Sequence, residues 1–88
     1  MEGLRKSLEN LHNELKKAES LDEESREMLR ILTSEIQEIL DRSELTKSKK
    51  HQRILANLQQ SAQKFELTHP ELAGAINIVI NGLTSLGI

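Results

Sequence analysis

Three histidines are the residues in this 88-residue chain whose side chains most readily bind a metal or transfer a proton. His12, His51 and His69 fall on three separate segments of the sequence. None has a second His or a Cys three or four residues away, the spacing that places two ligands on one helix face. We therefore predict no metal site and interpret the histidines as solvated or helix-capping side chains.

Carboxylates are plentiful, with 14 Asp and Glu residues, whereas cysteine is absent. Acid–base catalysis needs a carboxylate in a desolvated cleft, but these carboxylates lie opposite the apolar positions. The lack of cysteine excludes a thiolate metal site and a cysteine nucleophile. The scattered glycines form no phosphate-binding loop. We predict no catalytic residue, no cofactor and no enzymatic activity.

One basic cluster, formed by Lys47, Lys49, Lys50 and Arg53, could contact the phosphates of a nucleic acid. The segment before it is acidic, and Phe65 is the only aromatic residue, so single-stranded bases would find no stacking platform. A nucleic-acid-associated accessory protein is therefore the alternative interpretation, and nucleic acid is the less favoured partner.

Amphipathic helices are the elements that must position these side chains. Leu4, Leu8, Leu11 and Leu15 recur at steps of four, three and four, which is typical of a helix with one narrow apolar seam. Similar seams predict an all-α fold of about four helices near residues 2–19, 22–42, 47–65 and 69–86. We expect antiparallel hairpins in a bundle or coiled-coil-like arrangement, forming a single domain over residues 1–88.

Capping residues mark the predicted helix starts and ends. Ser20 and Asp22 are both candidates for the N-cap of the second helix. Thr68 with Glu71 has the spacing of a capping box for the last helix, and Gly87 fits its C-terminal cap.

A rival interpretation applies to residues 76–80, where β-branched residues alternate ahead of an Asn-Gly turn. A hairpin here would have a short second strand, and no other segment offers a strand partner. We therefore favour a helix.

Charge is divided unevenly along the chain, whose net charge is −2. Residues 21–42 contain seven acids and three bases, which gives −4, whereas residues 43–65 contain five bases and one acid, which gives +4. Antiparallel packing of the two segments would place opposite charges side by side. Residues 72–88 contain no charge at all.

The last predicted helix has an uncharged face opposite its seam. That face consists of Gly74, Asn77, Asn81, Thr84 and Ser85. A solvated helix face would normally display Lys and Glu, and small residues permit close approach of another helix. The segment is too short and too rich in amides to span a bilayer. We therefore expect a non-enzymatic helical module that forms a homo-oligomer or docks on another protein.

The N-terminal residues include no apolar h-region, so we expect a cytoplasmic protein.

Both ends of the chain carry a pattern that resembles a known family. The C-terminal pattern is Phe65-Glu66-x-x-His69-Pro70-x-Leu72 followed by Leu83-x-x-Leu86-Gly87-Ile88, and the N-terminal one is Leu4, Leu8, Leu11, His12, Glu14, Leu15, Asp22, Arg26, Leu29 and Leu32. These patterns resemble domain of unknown function family 4404, which comprises small bacterial helical proteins. The resemblance covers most of the chain outside residues 41–53. It implies a helix over residues 70–86 and brings no catalytic residues with it.

Overall fold

A computed structural model describes residues 2–42 and 49–85, which form four helices. They are α1 (Glu2–Lys17), α2 (Glu23–Asp41), α3 (Lys49–Phe65) and α4 (Pro70–Ser85). The all-α prediction is confirmed, and the predicted boundaries differ by one or two residues wherever the helix end is described. The predicted start of the third helix near Lys47 and the cap at Gly87 lie outside the described residues.

The strand alternative for residues 76–80 is wrong, because this segment lies within α4. Ile76 and Val79 are fully buried while Ile78 is half exposed, which follows a helical period and not an alternating one. No described residue adopts a strand. Packing of one helix face against two neighbours therefore outweighs the local β preference of these residues.

Neighbouring helices run antiparallel, as contacts between opposite ends show. The Arg5 guanidinium near the start of α1 donates to the Asp41 carboxylate at the end of α2, at 3.0 Å. Gly82 near the end of α4 lies against Leu4 near the start of α1. The helices therefore form a closed ring, in which α4 lies beside both α1 and α3. Within the described chain, α2 and α4 are diagonal and make no close backbone contact.

Aliphatic side chains from every helix meet in one buried cluster. Among its members, those with no exposed surface are Leu11, Leu29, Ile36, Leu58, Ile76 and Val79. Phe65 adds the one aromatic ring. The seams predicted from the sequence are the sides of the helices that build this core.

The connections place the helix starts. Asp22 is the N-cap of α2, and its carboxylate accepts a hydrogen bond from the Ser25 backbone N–H at 3.1 Å. The start of α4 differs from the predicted capping box. Pro70 is its first residue, where the missing N–H leaves no hydrogen bond unmade. The Thr68 hydroxyl lies 3.0 Å from His69 Nδ1.

Candidate functional site

The uncharged face of α4 points away from the core. All five residues predicted to form an interface are exposed or nearly so in the single chain: Gly74, Asn77, Asn81, Thr84 and Ser85. Ile78 lies on the same side with 51 % of its surface exposed. The bundle therefore buries only one side of α4 and leaves the other for solvent or a partner.

Two glycines of α4 have opposite surroundings. A Cβ at Gly82 would lie 2.9 Å from Leu4 Cδ1, so this glycine lets α4 approach α1 closely within the bundle. A Cβ at Gly74 would meet no atom within 4 Å. Gly74 therefore serves no close approach inside the single chain and leaves an open shallow surface on the uncharged face.

The basic cluster is only partly available for phosphates. Lys49 and Lys50 are exposed at the start of α3, whereas Lys47 lies outside the described residues. The Arg53 guanidinium donates to the Glu35 carboxylate of α2 at 2.7 Å, so the structure places this residue in a helix–helix ion pair. Opposite charges of α2 and α3 thus meet, as the charge division predicts.

The histidines do not share one environment. His12 is exposed, as predicted, and His69 is half buried. His51 is 3 % exposed, so the prediction that it is solvated is wrong. His51 lies in the first turn of α3 on the side that carries Ile54 and Leu58, so that it packs with the core side of the helix.

A cleft of about 490 Å³ separates the end of α1 from the start of α4. At its edge the Ser20 hydroxyl lies 3.0 Å from His69 Nε2, and Thr68 Oγ1 lies 3.0 Å from His69 Nδ1. The Phe65 ring meets the His69 ring edge to face at a centroid distance of 5.6 Å. A neutral imidazole can donate from one nitrogen and accept at the other, so His69 ties the α1–α2 connection to the α3–α4 connection.

Sequence analysis missed this contact, although it contained a signal for it. Antiparallel hairpins bring the first and third connections to the same end of a bundle, and Ser20 and His69 lie in those connections. Arg26 closes the same end, because its guanidinium donates to the backbone carbonyls of Leu15 and Ala18 after the last turns of α1.

Two carboxylates have shifted proton affinities. The hydrogen bond from the Ser25 N–H lowers the pKa of Asp22 below its ordinary value of 3.8, and the Ser25 hydroxyl and the Lys64 charge act in the same direction. Hydrogen bonds from Arg5 and Gln37 lower the pKa of Asp41. Both groups are charged at neutral pH and hold helix ends in place.

No group of three or more His, Asp or Glu residues in the described ranges is arranged to hold a metal ion. Within those same ranges, no helix has the length and apolar character needed to cross a membrane.

Comparison with protein families decides the relationship of the chain. The family model named Domain of unknown function (DUF4404) matches residues 4–88. The chain belongs to this family. Its four-helix bundle and the tie between Ser20 and His69 are therefore features of a DUF4404 member. No curated protein and no solved structure shows significant similarity to the chain.

Proposed function

We propose that this DUF4404 protein is a non-enzymatic helical module that associates with a second copy of itself through the exposed face of α4. The observation that carries the proposal is the absence of charge from residue 72 onward, on a helix whose outer side the bundle leaves uncovered. A solvated helix face normally carries Lys and Glu, which favour solubility.

The chemistry of this face suits contact with an identical face. Each of Asn77 and Asn81 carries an amide donor and an amide acceptor, so the same side chain can satisfy its counterpart across a twofold axis. Ile78 adds an apolar side chain that is half exposed, and the open surface at Gly74 can accept a side chain from a neighbour. These features support a second copy as the occupant.

Light scattering tests the proposal, because a homo-oligomer forms by mass action as concentration rises. At about 100 µM we expect a mass above that of one chain, falling toward one chain on dilution. Asn81→Lys should weaken the assembly, because a long charged side chain would lose its hydration in the contact. Asn13→Lys is the matched control, since Asn13 is exposed on α1 on the side opposite its leucine seam.

A wild-type mass of one chain at that concentration, unchanged by Asn81→Lys, would rule out self-association and leave a different protein as the partner of this face. Equal weakening by Asn13→Lys would show a general charge effect and would also contradict the proposal.

Nucleic-acid binding stays the alternative hypothesis, and no contact in the described residues favours it. Arg53, one of its four candidate residues, is held by Glu35. A salt-dependent mobility shift with DNA or RNA that Lys49→Gln and Lys50→Gln abolish would support it.

A further inference from the structure

A second stripe of α2 is not used by the core. Glu24, Met28, Ile31 and Glu35 follow one another at steps of four, three and four, which places them along one side of the helix. Ile31 is 51 % and Met28 37 % exposed, although both are large apolar side chains. The core side of α2 is formed by other residues, so packing within the bundle does not account for this stripe.

The stripe borders a groove of about 390 Å³ between α2 and α3. Met28, Ile31 and the buried Leu32 form its apolar part, and Arg53 and Asn57 line it from α3. The backbones of α2 and α3 approach each other less closely than those of α3 and α4, which leaves this groove open.

The charges around the groove are mainly negative. Glu24, Glu27 and Glu35 line it, against Arg53 as the one base among its lining residues. Arg53 donates to Glu35 Oε2, whereas Oε1 of the same carboxylate accepts no hydrogen bond within the described chain. Glu24 forms no ion pair with any described residue. The groove therefore combines apolar contact area with uncompensated acceptors at both ends.

We propose that the groove between α2 and α3 binds an amphipathic helix of another protein, one that presents two apolar residues about one turn apart between Lys or Arg residues. Charge complementarity fixes the sign of the partner, because bases at its two ends would face Glu24 and Glu35. These two glutamates lie about 16 Å apart along α2, from a rise of about 1.5 Å per residue. The partner's bases must therefore be separated by about three turns of helix.

This surface is independent of the face proposed for self-association, since α2 and α4 lie diagonally in the bundle. A dimer formed through α4 would leave both of its grooves accessible.

The test uses a pair of synthetic helical peptides of about 18 residues, or about 27 Å. Both carry the same leucines, and they differ in having Lys or Glu at the flanking positions. Titration followed by fluorescence anisotropy should show binding of the Lys peptide and at least about tenfold weaker binding of the Glu peptide. Chemical-shift changes on adding the Lys peptide should concentrate on residues 24–35 and on Arg53 and Asn57.

Ile31→Gln should weaken binding of the Lys peptide by about tenfold, since an apolar anchor is lost. Ile78→Gln is the matched control, because Ile78 is also 51 % exposed but lies on α4. It should leave peptide binding unchanged. Equal binding by wild type and Ile31→Gln, or shift changes spread over all acidic surfaces, would overturn the proposal. An effect of Ile31→Gln on the oligomer mass would instead assign the groove to a second copy and would overturn it too.

Discussion

Ser61 of α3 is buried with only 2 % of its surface exposed, and its hydroxyl has no hydrogen-bond partner in the described structure. A buried hydroxyl without a partner loses its hydration without compensation. Ser61→Ala should therefore raise the free energy of unfolding by about 1–2 kcal/mol, including the higher helix propensity of Ala. Urea denaturation measures the change.

Ser34→Ala is the control for that prediction, because Ser34 is exposed within α2 and reports helix propensity alone. If Ser61→Ala gains no more stability than Ser34→Ala, the Ser61 hydroxyl makes a compensating bond in solution.

Asp22 gives the bundle a dependence on acid. Its pKa is lowered in the folded protein, chiefly by the bond from the Ser25 N–H, so its charged form stabilises the fold above about pH 4. That stabilisation is lost as the pH falls through the lowered pKa. Asp22→Asn keeps a capping oxygen but does not titrate. The thermal midpoint of wild type should therefore exceed that of Asp22→Asn near neutral pH, and the difference should vanish below about pH 3.

A difference between these two proteins that stays constant from pH 7 to pH 2 would contradict the role given to the carboxylate.

Local signals predict residue roles only where the contact itself is local. Asp22 was one of two cap candidates, because an N-cap bonds to a residue three positions ahead. The sequence could not choose between Asp22 and Ser20, since Ser20 is taken up by His69 from a distant part of the chain. The pairing of Arg53 with Glu35 likewise depends on how two helices are aligned.

At the scale of the helix, the leucine and isoleucine seams predict four elements and their buried sides, because burial follows the helical period. The seam does not reveal how closely two helices approach. Gly74 and Gly82 belong to the same helix, yet only the second lies against another side chain, Leu4. The sequence therefore predicted the interface face of α4, whereas its contact with α1 required the structure.

The contrast between these glycines is measurable. Gly74→Ala should stabilise the fold by about 0.5–1 kcal/mol, since Ala is the better helix former and the added methyl meets no atom. Gly82→Ala should gain less, because its methyl would displace the buried Leu4 side chain. Urea denaturation at about 1 µM keeps self-association from contributing. A larger gain at Gly82 than at Gly74 would contradict the close approach of α1 and α4.

The whole molecule is unevenly packed. α4 approaches both α1 and α3 closely, whereas α2 is farther from its neighbours. We therefore expect native-state hydrogen exchange to show the greatest protection in α4, with α2 opening at a lower free energy. Equal protection of α2 and α4 would show that the bundle opens as one cooperative unit.

The contact between Leu4 and Gly82 also determines when the bundle can form during translation. The helix made first has as its closest neighbour the helix made last. At roughly 5–20 residues per second, α1 waits for several seconds before α4 emerges from the ribosome. During that time its leucine seam has only α2 and then α3 to pack on. Translation that stopped within α4 would therefore release a chain whose first helix lacks its closest partner, so such fragments should be prone to aggregation and proteolysis.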